Sequence, residues 1–219
     1  MERTINWSAY VLAFVVSILV FAVGVLLGIQ LNQQAGQQLS EELDRLRFQT
    51  AETEVLALIT KENLNSSPGA LCSLYDRQIA RLNEETSRLG QTLTVLEASR
   101  GASDADVRRL KADYFLLEIR DFLFVKQVNR ECGDRFATIL YFYDNSGCAS
   151  CERQGETLSQ VKAGDPSSIL VYSFDAALNS SAVQLLRDAY GIALIPSVVV
   201  NGRLYSGPQE ADQIRRALS

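Results

Sequence analysis

Residues 137–151 read Ala137-Thr138-Ile139-Leu140-Tyr141-Phe142-Tyr143, then Asp144-Asn145-Ser146-Gly147, then Cys148-Ala149-Ser150-Cys151. The first part is rich in β-branched and aromatic residues and carries no charge, which predicts a buried strand. The polar turn leads into two cysteines three apart, and the residues through Lys162 fit a helix with Leu158 and Val161 facing inward. A cysteine at such a strand-to-helix junction sits at a helix N-terminus, where unpaired amides and the dipole favour the thiolate, the attacking form. The spacing brings Cys151 beneath Cys148 on the first turn, placed to resolve a mixed disulfide.

Downstream, residues 168–174 predict a second strand, 181–190 a helix and 196–200 a third strand. Asn201-Gly202 is a strong hairpin signal, leading into a fourth strand at 203–205. Residues 208–218 close the chain as a helix with Pro208 near its start, so the predicted order is βαβαββα.

Upstream, Tyr75, Ile79, Leu82, Thr86, Leu89, Leu93 and Leu96 recur at alternating spacings of four and three, a heptad seam. Residues 101–106 interrupt it, with Ser103 or Asp104 able to cap a second helix carrying Val107, Leu110, Tyr114, Leu117, Phe124 and Val128. Two helices joined by a short polar turn predict an antiparallel hairpin over 70–133. Cys72 and Cys132 are equidistant from Ala102 in the turn, so they face each other at the hairpin's base, where a disulfide would be a structural staple. Two free thiols, or a second redox-active pair, are the competing readings.

No charged residue lies between Thr4 and Ser40, and the stretch 9–30 is largely apolar, with Trp7 and Tyr10 at one end. About 20 such residues predict a transmembrane helix, too long for a cleaved signal peptide. Arg3 before the segment and Glu41 and Glu42 after it place 1–8 in the cytoplasm and the rest outside, as a single-pass signal anchor in the plasma membrane. Residues 31–69 then form a helical linker with a broken stripe of Leu39, Leu43, Leu46, Val55, Leu56 and Ile59, ending in a hinge at Asn65-Ser66-Ser67-Pro68-Gly69.

The chain has 219 residues and no histidine, which removes histidine-based dyads, triads and the commonest metal ligand. Its formal net charge is −5 with both signs interspersed, leaving no basic surface for nucleic acid. A site collecting all four cysteines around zinc is disfavoured, because the strand between Cys132 and Cys148 separates the pairs by about 20 Å. No metal and no cofactor is expected. Glu152 and Arg153 read as solvated charges, Asp144 as a turn former, and Tyr141, Phe142 and Tyr143 as core or sheet-face residues.

Residues 134–219 resemble the thioredoxin superfamily. The resemblance rests on Cys148 to Cys151 after a hydrophobic strand, on Tyr190-Gly191-Ile192-Ala193-Leu194-Ile195-Pro196-Ser197, and on the Asn201-Gly202 hairpin. It implies a thioredoxin-like α/β domain with Cys148 as nucleophile and Cys151 as resolving thiol. It also implies a cis bond before Pro196, with that loop against the cysteines and the Ile195 backbone pairing to an extended substrate segment. The chain departs from the family in having Gly147 before the first cysteine, Ala149-Ser150 between the pair, and Phe142 in place of a buried acid. The direction of exchange is left open.

The expected architecture is therefore one transmembrane helix, a helical coiled-coil stalk, and an α/β domain over 134–219. The expected function is a membrane-anchored thiol:disulfide oxidoreductase acting on exported proteins. Its expected partners are exported thiols and disulfides, a membrane redox protein, the bilayer through 9–30, and a second copy of the chain through the stalk. The competing function is a non-catalytic binding or assembly module with Cys148–Cys151 as a fixed disulfide.

Overall fold

Heptad spacing on two consecutive segments forces their apolar faces together, and the computed structural model, which describes residues 7–63 and 68–218, shows the result. Helices α2 (Pro68–Arg100) and α3 (Ala105–Cys132) pack against each other. Every seam residue named above on α2 is buried, as are those on α3. Gly101 takes a φ of 89° as α2 ends, a left-handed value suited to glycine. Asp104 then caps α3, its Oδ1 accepting from the amides of Asp106 (2.9 Å) and Val107 (3.0 Å). A disulfide joins Cys72 to Cys132 with Cα atoms 5.8 Å apart. Helix α1 (Trp7–Asn63) adds buried Leu39, Leu43 and Leu46 to this pair, and Arg47 Nη2 reaches Asp113 at 2.6 Å.

After Cys132 the chain forms β1 (Ala137–Tyr143), α4 (Ala149–Gly164), β2 (Ile169–Asp175), α5 (Ser181–Tyr190), β3 (Ser197–Val200), β4 (Arg203–Ser206) and α6 (Ala211–Leu218). The strand order is β2-β1-β3-β4, with β1 and β2 parallel and the other pairs antiparallel. Period-two alternation divides β1 between two cores. Ile139 and Tyr141 join Val198, Val200, Leu158, Val161 and Ile214 on the side of α4 and α6. Leu140 and Phe142 face the other way, into a cluster that also holds Phe174, Tyr172 and the hairpin's own seam. Phe115 of α3 meets Phe174 edge-on at 5.6 Å, and Phe122 meets Tyr172 at 5.7 Å. The hairpin and the sheet therefore share one hydrophobic core.

A polar seam accompanies that packing. Strand β2 lies at an edge of the sheet, where unpaired backbone groups would otherwise be open. Helix α3 covers it: the Ser173 amide donates to Glu118 (3.2 Å), the Tyr172 hydroxyl to Asp121 (2.9 Å), and Lys111 Nζ to Asp175 (2.8 Å). Lys111, Glu118 and Asp121 share one helical face and are each only 3% exposed, so each polar group depends on its hydrogen-bond partner.

Two expectations are corrected. The fold class is not an α/β domain carried on a stalk behind a transmembrane helix. The chain is mostly helical, with six helices among the described residues and a four-stranded mixed sheet, because α3 is built into the sheet's own core. Nor is 9–30 a separate spanning segment. Among the described residues no helix is long and apolar enough to cross a membrane. The apolar run is the start of the 57-residue α1. The membrane, transmembrane-helix and signal-anchor assignments, the single-pass plasma-membrane location with its cytoplasmic and extracytoplasmic sides, and the bilayer contact are withdrawn with it. Most of the predicted hinge at 65–69, and the side chains of Leu56 and Ile59, lie outside the described residues.

The Cys72–Cys132 bond closes a loop with a sequence separation of 60. Replacing both cysteines with alanine is expected to lower the unfolding free energy by about 4 kcal/mol, the chain-entropy cost of opening such a loop. Urea titration of the two proteins side by side measures it.

Candidate functional site

Strand β1 delivers the chain to the cysteines in a fixed direction. Past Tyr143, the Asp144 carboxylate accepts from the Ser146 amide at 2.7 Å, and Gly147 takes a φ of 80°, so the chain turns sharply into α4. Cys148 is the N-cap of that helix. Its carbonyl accepts from the amides of Cys151 (2.9 Å) and Glu152 (3.2 Å). Its sulfur accepts from the Cys151 amide at 3.1 Å and lies 3.3 Å from the Ser150 hydroxyl. A disulfide joins Cys148 to Cys151, with Cα atoms 5.2 Å apart. Cys151 is buried, at 4% exposure, and Cys148 is half-buried, the more accessible of the two. The Tyr141 hydroxyl donates to the Cys151 carbonyl and pins the first turn of α4 to β1.

The pair lines a cavity of about 280 Å³ that also takes in Tyr141, Tyr143, Asp144 and Glu152. Thr94 and Glu97, on α2, line it too. The helical hairpin thus supplies a wall of the cysteine site. Tyr141 and Tyr143 stack at 5.4 Å, and Lys111 Nζ lies 5.6 Å from the Tyr143 ring. Lys111 also donates to Glu97 at 2.7 Å.

Thr94, Glu97, Tyr143 and Ser173 line a second cavity of about 500 Å³, which reaches Glu118 and Lys162. Burial pushes the Glu118 carboxyl up to about 8, opposed by hydrogen bonds from Tyr114 and Ser173 and reinforced by the nearby Asp121. Burial raises Asp121 to about 6 against the Tyr172 hydrogen bond and the charge of Lys162. Lys162, donating to Asn83 (2.9 Å) and Ser87 (3.0 Å), is lowered by burial. Asp144 is lowered by its hydrogen bonds with Ser146.

The structure brings together Cys148 and Cys151, and Cys72 and Cys132, as two separate disulfides. Ile195 and Pro196 are not among the residues lining the cysteine cavity. Their peptide bond is cis, and they precede β3, where Ser197 pairs with Phe142. Among the described residues no group of three or more His, Cys, Asp or Glu is arranged for a metal ion. Thr94, Glu97 and Lys111 escaped the sequence reading because each lies beside a seam residue and looks like its solvated neighbour. The signal that could have found Lys111 is a second stripe on α3, with Lys111, Glu118 and Asp121 at helical spacing beside Phe115 and Phe122.

Compared with known proteins, the chain matches no family model and no curated relative.

Both buried carboxyls have folded-state values above their ordinary 4.5 and 3.8, so between those limits the folded protein holds more protons than the unfolded one. Their contribution to stability is complete below the ordinary values and is lost as pH rises through about 6 for Asp121 and about 8 for Glu118. Urea midpoints should therefore fall from pH 5 to pH 9, and Glu118→Gln should flatten the part of that fall nearest pH 8.

Proposed function

We propose that this chain exchanges disulfides with cysteines of partner proteins through Cys148 and Cys151. The observation that carries the reading is the disulfide spanning the first turn of α4, lining a cavity with both cysteines, of which Cys148 is half-buried and Cys151 buried. The resemblance of 134–219 to the thioredoxin superfamily supports it.

The chemistry follows from the geometry. A partner thiolate attacks Cys148 Sγ, the Cys148–Cys151 bond breaks, and Cys151 leaves as a thiolate that takes up a proton. A second partner thiolate then attacks the partner sulfur of the mixed disulfide and releases Cys148. Two electrons pass to the pair and the partner is left with a disulfide. The reverse sequence reduces a partner. In either direction the Cys148 thiolate finds the Cys151 amide and the Ser150 hydroxyl already within hydrogen-bonding distance. Cys72–Cys132, bonded at the hairpin's base and absent from the lining of the cavity, serves as the internal reference for a structural disulfide.

Alkylation and mass spectrometry of the full chain across a glutathione series test the reading. Cys148 and Cys151 are expected to become reactive together while Cys72 and Cys132 stay linked, and Cys151→Ser is expected to accumulate a mixed disulfide at Cys148. If Cys148–Cys151 resists reduction as Cys72–Cys132 does, the pair is a fixed staple and the binding-module reading replaces the exchange one.

A further inference from the structure

We infer that the Cys148–Cys151 pair works as an electron donor, a dithiol that reduces disulfides of its partner, because carboxylates supplied by the hairpin, the β1–α4 turn and α4 surround the cavity and disfavour a standing thiolate at Cys148. This rests on the exchange reading above and gives it a direction.

The charges around the cavity carry the argument. Glu97 on α2, Asp144 in the turn and Glu152 on α4 line it, and among the described residues no lysine or arginine does. Lys111 of α3 stands behind Tyr143, but it is shared between Glu97 and Asp175 of β2, two carboxylates to one ammonium. Arg153, on the same turn of α4 as Glu152, is exposed and does not line the cavity. Lys162 lines the second cavity with Glu118 and lies within the electrostatic reach of Glu118 and Asp121. Tyr141 and Tyr143 are held as neutral phenols by burial. Three carboxylates thus line the cavity with the sulfurs, and the Lys111–Asp175 pair stands behind Tyr143 and Glu97.

Strongly oxidising pairs owe their potential to a stabilised reduced form, whose thiolate is welcomed by its surroundings. Here the helix N-terminus and Ser150 favour the thiolate, and the ring of carboxylates opposes it. That opposition shifts the equilibrium toward the disulfide, so electrons leave the pair readily. In the forward step Cys148, having given its proton to solvent, attacks one sulfur of the partner's disulfide, and the departing partner sulfur takes up a proton. Cys151 then loses its proton, attacks Cys148 Sγ and closes the disulfide seen here, releasing the second partner sulfur as a thiol. Two electrons and two protons reach the partner. A second dithiol protein, oxidised in turn to a disulfide, returns the pair to its reduced form.

The test uses the full chain with Glu152→Gln, Asp144→Asn and the two combined. Glu152 is exposed, and the Asp144→Asn substitution keeps a side-chain oxygen able to accept from the Ser146 amide. Two quantities are read: the equilibrium constant of the pair with glutathione, and the pH dependence of Cys148 alkylation. Each single substitution should move the equilibrium toward the reduced pair by roughly three- to tenfold and lower the pH of half-maximal alkylation, as removal of one nearby charge does. Raising the salt to about 1 M should shrink the difference between wild type and variants. The inference is overturned if the variants leave both quantities unchanged, or if the wild-type pair is more readily reduced than glutathione disulfide with Cys148 alkylated at full rate in acid. A pair that never reduces overturns the exchange reading itself, which is a different result.

Discussion

Everything about the site depends on how α3 grips the edge of β2. Three buried side chains on one helical face, Lys111, Glu118 and Asp121, meet Asp175, Ser173 and Tyr172 in turn. Taking such groups out of water is costly, and each tolerates burial only because its partner is in place. The arrangement also closes what would be an open sheet edge, with Glu118 taking the Ser173 amide. Around it, Phe115 and Phe122 add apolar area that aligns the helix on the strand. Polar pairing and aromatic packing together hold the helix on the strand.

Fixing α3 also fixes α2, because the heptad seam and the Cys72–Cys132 disulfide leave the hairpin no freedom to slide. That is how Thr94 and Glu97 come to line a cavity whose sulfurs lie about fifty residues further along the chain. The cysteine site is composite: β1 and the Asp144 turn aim Cys148, Tyr141 pins the turn that buries Cys151, and the hairpin adds a wall bearing charge. A protein partner approaching Cys148 would meet the hairpin as well as the sheet.

Much of this was legible in the sequence wherever a period or a spacing carried the information. The four-three repeat from Tyr75 to Leu96 marks residues that the structure buries, and Asp104 stands where its side chain caps α3. The symmetry of Cys72 and Cys132 about Ala102 pointed to the place where they are joined. The uncharged run before Cys148 is the central part of the sheet, and the strands and helices after it come in the order β1, α4, β2, α5, β3, β4, α6. Contacts between distant segments were not legible. Periodicity names the inward face of a helix but not what it will face, so α3 read as one half of a stalk while its second stripe was already matched to β2. Hydropathy counts apolar residues without regard to what continues the helix, so 9–30 read as a membrane span. It is the beginning of a far longer α1, and among the described residues no helix is long and apolar enough to cross a membrane.

Native-state hydrogen exchange tests the central claim, that hairpin and sheet are one cooperative unit joined along α3 and β2, most directly. If they are, the amides of Leu110 and Leu117 in α3, of Leu140 in β1 and of Ser173 in β2 will share one opening free energy and fall together as urea is added. If the α3 amides exchange through a separate, low-energy opening while Leu140 stays protected, the hairpin is a detachable stalk and the account is wrong.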